Sequence, residues 1–163
     1  MKTEIIVADY SNEKQGSDLV YLLDVYAKDP MGGGKPLSRF VKENLVAELA
    51  KRSDALSLLA YVDGEPVGLI NCFEGFSSFS CKPLMNIHDV MVLAEFRGQG
   101  ISQLMLQQVE IIARKKGCCK LTLEVLEGNT AAKNLYIKYG FAAYELDPEM
   151  GKALFWQKGL SDE

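Results

Sequence analysis

The run Arg97-Gly98-Gln99-Gly100-Ile101-Ser102 constrains this chain more than any other stretch of it. Before it stands Asp89-Val90-Met91-Val92-Leu93, rich in β-branched and apolar residues and so strand-like. After it, Ile101, Leu104, Met105, Val109, Ile112 and Ala113 recur at helical spacing. A strand that turns through glycines into a helix leaves several backbone N–H groups pointing outward at the helix start. With the helix dipole, those groups form a seat for a phosphate or pyrophosphate. Charge supports that reading. Helices usually place Asp or Glu in the first turn, but residues 99–108 hold none and the first acid is Glu110. The other end is ordinary, with Arg114, Lys115 and Lys116 ahead of Gly117. The same pattern also fits a plain helix start with glycines for a tight turn.

At 163 residues the chain is expected to form one domain, residues 1–163, long enough to bury a core. A net charge of -4 and a pI near 5.1 argue against a nucleic-acid partner. No apolar stretch is long enough to span a bilayer, and the first residues lack the apolar core of a signal peptide, so no membrane role is expected. Cys72, Cys81, Cys118 and Cys119 show no Cys-x-x-Cys spacing and read as free thiols in a reducing cytoplasm. His88 is the only histidine and the spacings match no common zinc site, so no metal is expected.

Periodicity gives the order β-α-α-β-β-β-α-β-α-β-β. Strands are expected at residues 3–8, 55–62, 65–76, 86–93, 120–126, 141–145 and 153–157, and helices at 11–28, 38–52, from 101 onward and at 130–139. Asp63-Gly64 signals a hairpin. Helices and hairpins together imply an α/β chain (α+β in some schemes) with a mixed sheet. Gly32-Gly33-Gly34 reads as a flexible lid or as a plain connection between helices. Phe73, Phe76 and Phe79, with Ser77, Ser78 and Ser80, read as the lining of a cleft or as ordinary core and loop.

This order and two local motifs resemble the GCN5-related N-acetyltransferase (GNAT) superfamily. The superfamily's pyrophosphate motif, Arg/Gln-x-x-Gly-x-Gly/Ala, matches Arg97-x-x-Gly100-x-Ser102, with a small serine at the last position. The second match is the stretch from Glu124 through Asn129, Ala131 and Tyr136, followed by Tyr139-Gly140-Phe141. The resemblance covers about residues 56–144; the first part of the chain matches only in its strand-helix-helix order, the region that shapes the acceptor site in this superfamily.

The resemblance implies a mostly antiparallel sheet flanked by helices and an acetyl-CoA-dependent N-acetyltransferase. The acetyl group would pass to a primary amine, of a small molecule, by direct attack in a ternary complex. A non-catalytic acyl-CoA sensor or interaction module is the competing reading. Cosubstrate binding would fall to Arg97 and the N–H groups of Gly98, Gln99, Gly100, Ile101, Ser102 and Gln103, with Asn129 near the pantetheine arm and Tyr136 near the sulfur. An N–H near a strand bulge within Val90-Met91-Val92 would receive the developing oxyanion. An alkylammonium with pKa near 10.4 costs roughly 4–5 kcal/mol to deprotonate at neutral pH, so a base is needed. Glu124 leads, on the strand before the second motif; a solvated or lysine-paired carboxylate is the plain alternative. Asp89 and His88 are the rivals, and strand alternation would place them on opposite faces. Tyr136 is the expected general acid, or a core tyrosine. A homodimer, paired through the edges of the C-terminal strands, follows only by analogy.

Overall fold

A computed structural model describes residues 1–160. The chain divides into two compact units, Met1–Leu123 and Glu124–Glu163.

The first unit is built on a five-stranded sheet in the order β1 (Thr3–Val7), β2 (Ala55–Val62), β3 (Glu65–Ser77), β4 (Lys82–Val92), β5 (Leu121–Leu123). The first four strands pair antiparallel and β5 joins β4 in parallel. The mixed, mostly antiparallel sheet is the one expected. Asp63 and Gly64 both take positive φ, 49° and 87°, the backbone of a tight hairpin whose twist matches its strands. Residues 82 and 83, expected in a loop, instead open β4, because the β3–β4 hairpin pairs down to Ser77 and Lys82.

Helices α1 (Glu13–Lys28) and α2 (Arg39–Ala50) start at side-chain caps, Asn12 on the N–H of Gln15 and Ser38 on the N–H of Val41. Leu19 and Leu22 of α1 and Leu49 of α2 form one core with Leu59, Tyr61, Leu69 and Met91. These strand residues mark one face of the sheet. Helix α3 (Ile101–Lys115) covers the other, where Met105 lies over Gly68 and Ala60. A Cβ at Gly68 would stand 2.9 Å from the Met105 methyl, so this glycine sets the distance between helix and sheet.

The second unit carries α4 (Thr130–Lys138), capped by Asn129 on the N–H of Ala132. The strands expected at residues 141–145 and 153–157 reduce to one antiparallel bridge, Glu145 with Lys152. Asp147 and Pro148 start a short 3-10 turn instead. Leu146, Leu154, Phe155 and Trp156 are exposed, so these residues lack the buried face that turns β-propensity into a strand. The strand edges on which two copies would pair do not form there.

Candidate active site

Two groups of residues in the first unit gather the chemistry. The first is the turn into α3. Gly98 and Gly100 sit at φ of 76° and 79°, and Gly100 is the N-cap without any side-chain cap. A side chain at either glycine would be strained, yet would meet nothing within 4 Å. The first helical bond runs from the N–H of Leu104 to the carbonyl of Gly100. Among the described residues, the N–H groups of residues 98–103 meet no protein acceptor. The first turn holds no acid, and Ile101 is buried, which fixes the helix start against the sheet. Arg97 donates from Nε to the Val92 carbonyl at 3.1 Å, and its Nη2 stands 3.7 Å from Asp29 Oδ2. That exposed ion pair is worth about 0–1 kcal/mol, so Arg97 is easily drawn to a better anion.

Beside this turn, β4 has an open edge. Strand β5 pairs only with Met85–Ile87 of β4. Leu93 donates its N–H to Val67, toward β3. Strand alternation then points the peptide groups of Val90 and Val92 to the opposite, unpaired edge, while Met91 turns toward β3. The Arg97 bond to the Val92 carbonyl agrees with that direction. The backbone donors expected within residues 90–92 are therefore those of Val90 and Val92. Their bulge lies elsewhere: Asn71 opposes Asp89 and Cys72 opposes Ile87, which leaves His88 as the extra residue.

The bulge also overturns the expected alternation of His88 and Asp89. Asp89 accepts from Asn71 Nδ2 at 3.1 Å, and the His88 ring meets Phe73 edge-on at 5.5 Å. Asn71 and Phe73 are two residues apart on β3 and share the face covered by α1 and α2. Both rivals for the base therefore lie on one face, because one inserted residue shifts the pleat.

Asp89 belongs to the second group, a polar row in direct register across three strands: Ser57, Asn71, Asp89. The neighbouring row, Leu59, Leu69, Met91, is apolar core. Ser57 and Asn71 are buried, and Ser57 Oγ bonds Asn71 Oδ1 at 2.6 Å and Tyr10 at 2.8 Å. Burial keeps the Tyr10 and Tyr26 phenols above the usual tyrosine pKa; for Tyr26 the negative charges of Asp89 and Asp29 add to it. Burial, and then Asp89, push the Cys72 thiol up to about 12, so Cys72 is an inert core thiol. The half-buried carboxylates Asp18, Asp24, Asp29, Asp54, Glu74 and Glu110 each stand within 4.0 Å of a Lys or Arg nitrogen. Asp89 is also half-buried, and among the described residues no cation pairs with it.

The remaining expected residues lie in the second unit. Glu124 follows the end of β5 at Leu123 and is exposed, so it is not on a strand as expected. The ladder stops there because β5 pairs with β4 only up to the bulge. Asn129 spends its side-chain oxygen on the helix cap. Tyr136 is buried on α4, its ring edge-on to Phe141 at 5.8 Å. Of the three phenylalanines expected to line a cleft, Phe73 packs on the core, while Phe76 and Phe79 are exposed at the β3–β4 hairpin end. Gly32 ends a short 3-10 turn in which Asp29 caps Met31 and its carbonyl accepts from Gly32 and Gly34. Sequence reasoning missed Tyr10, Ser57 and Asn71. Polar residues set inside the apolar runs of β2 and β3 were the available signal.

The four cysteines are free, and no cluster that could hold a metal ion occurs among the described residues. No helix among them is long and apolar enough to cross a membrane.

A helix start with unpartnered N–H groups thus stands beside an open strand edge, on a mixed sheet with helices on both faces. The family model described as "Acetyltransferase (GNAT) family" matches residues 19–141, and the chain belongs to that family. It is 39% identical over 83 residues to thialysine N-epsilon-acetyltransferase of Bos taurus, a match covering 47% of this chain and 48% of that protein. The chain spans about half the length of the curated relatives it matches. Its fold superimposes with a TM-score of 0.80 on an aminoglycoside acetyltransferase from an uncultured soil metagenomic sample, at 18% identity over 98% of this chain and 97% of that one. A second aminoglycoside-type enzyme, solved with a bisubstrate analogue joining CoA to an acetylneamine, gives 0.75 at 18% identity, over 98% of this chain and 100% of the other.

Proposed function

We propose that the chain, acting as one catalytic domain over residues 1–163, is an acetyl-CoA-dependent N-acetyltransferase for a primary amine of a small molecule. One observation carries this reading: a run of unpartnered N–H groups at residues 98–103 opens a helix whose first turn holds no acid, directly after the free edge of β4. That set of donors fits a pyrophosphate, and the open edge fits an extended amide-bearing arm that takes up strand-like bonds. The family model crosses both units, which supports a single domain. Amine acceptors are the chemistry in the names of the relatives. Free cysteines support a reducing, cytoplasmic setting.

In this reading a carboxylate removes a proton from the acceptor ammonium. The freed nitrogen attacks the thioester carbonyl carbon and gives up its second proton to solvent as the C–S bond breaks. The N–H of Val90 or Val92 receives the carbonyl oxygen. Tyr136 donates its phenolic proton to the leaving thiolate and regains one from solvent, and Asn129 steadies the pantetheine arm. We assign the base to Asp89 ahead of Glu124 and His88. Among the described residues Asp89 is the half-buried carboxylate that lacks a cation, and an ammonium would supply one. Glu124 is exposed and keeps its solvent without a substrate.

Titration calorimetry of acetyl-CoA tests the first half. Micromolar binding is expected, and no binding at millimolar ligand sinks the reading. Tyr136→Phe tests the second half through release of free thiol with an amine present. A rate loss of about 10²-fold or more with acetyl-CoA affinity retained fits an enzyme. A non-catalytic sensor would release no thiol from either protein.

A further inference from the structure

The bonds of the polar row run in one direction only. An ionised carboxylate accepts and cannot donate, so Asn71 must turn its amide nitrogen to Asp89, as it does at 3.1 Å. Its oxygen then faces Ser57, and the single Ser57 proton must go there, at 2.6 Å. With that proton spent, Ser57 Oγ can only accept from Tyr10, so the Tyr10 hydroxyl donates, at 2.8 Å. Burial holds the Tyr10 phenol in its protonated form, as this direction requires. Every proton in the chain therefore points toward one oxygen of Asp89, and each bond polarises the next.

From this geometry we infer that Tyr10, Ser57 and Asn71 are positioning residues, which hold Asp89 Oδ2 against the sheet and leave Oδ1 to meet the acceptor ammonium. The inference rests on the acetyltransferase reading. Its physical grounds are separate. Packing alone gives no reason for Ser57 and Asn71, since the adjacent row of Leu59 and Leu69 fills the same face with apolar side chains. Buried polar groups are costly unless bonded, and here the bonds converge on one half-buried carboxylate that no cation pairs with among the described residues. Tyr10 lies just beyond β1, Ser57 on β2, Asn71 on β3 and Asp89 on β4, so the sheet itself fixes the spacing.

The test uses the full chain, with free-thiol release from acetyl-CoA and thialysine as the probe amine. Ser57→Ala is expected to lower kcat about tenfold, the loss of one bond in a charge-directed chain, with KM for acetyl-CoA unchanged. Tyr10→Phe, one link further away, should lower kcat about threefold, and Ser57→Thr, which keeps the hydroxyl, should restore the rate. Leu58→Val, on the opposite face, lowers Tm without lowering kcat and measures what instability alone does. If Ser57→Ala and Tyr10→Phe behave like Leu58→Val, the inference is overturned. If the wild-type protein releases no thiol with thialysine or other primary amines, the acetyltransferase reading fails instead. A crystal structure of Ser57→Ala then decides the positioning role by itself. An Asp89 carboxylate that has turned away from Asn71 supports it, and one that has not moved rejects it.

Discussion

The turn into α3 and the polar row on the sheet are both built to hold charge, and they are built in opposite ways. The turn is local. A single stretch, residues 97–103, supplies every donor, and most of those donors are backbone N–H groups. The row is distributed. Tyr10, Ser57, Asn71 and Asp89 come from separate strands or their ends, and their side chains do the work. Backbone donors tolerate side-chain change as long as the conformation survives, so Ser102 can replace the motif's usual glycine or alanine. A side-chain row loses its chain of bonds with one hydroxyl. In the proposed function the turn would face an invariant chemical group, a phosphate, whereas a row of this kind can be altered to suit an acceptor.

The largest expected effect comes from breaking the turn. Gly100→Glu puts a side chain on a backbone at φ 79° and a carboxylate at the anion seat. The strain costs about 1–2 kcal/mol, and charge repulsion adds to it. Calorimetry should find acetyl-CoA binding weakened by more than about 10²-fold, with the fold kept by circular dichroism. Unchanged affinity would mean the turn is only a helix start.

Breaking the row should separate rate from binding. Asp89→Asn is expected to lower kcat by about 10²-fold while acetyl-CoA affinity stays within twofold to threefold. A loss of acetyl-CoA affinity instead would show that the two regions are not independent.

Arg97→Gln sharpens the comparison from the other side. The residue is largely exposed and its pair with Asp29 is weak. Affinity for acetyl-CoA should fall about threefold to tenfold, and the loss should shrink as salt rises from about 0.05 to 0.5 M. An effect as large as that of Gly100→Glu would move the weight of binding from backbone to side chain.

The smallest effect is expected at Glu124. Glu124→Gln should change kcat less than about threefold, in line with an exposed carboxylate beyond the end of β5. A loss larger than that of Asp89→Asn would return the base to Glu124 and leave the polar row without its catalytic end.

Much of the fold was legible because its signals are local. The Asp63-Gly64 hairpin, the start of α3 at Ile101 and the helix from residue 130 are each set within a few residues, and each formed where it was read. The turn at residues 97–103 was legible for the same reason, since glycine spacing and a missing acid are properties of the chain alone. The strands at residues 141–145 and 153–157 were read from propensity, and propensity without a buried face left only the Glu145–Lys152 bridge.

Sequence by itself determined where the strand turns into α3, which backbone donors open there, and which residues could serve as bases. Only the tertiary structure decided which of them meet. One inserted residue at His88 brought His88 and Asp89 to the same face, against strict alternation. Register then placed Ser57, Asn71 and Asp89 in one row, although Ser57 and Asp89 are far apart in the chain. Alternation is a property of one strand, while a bulge and a register are agreements between two. No single segment carries that information, because the energy that sets it comes from pairing and from the core packed beneath.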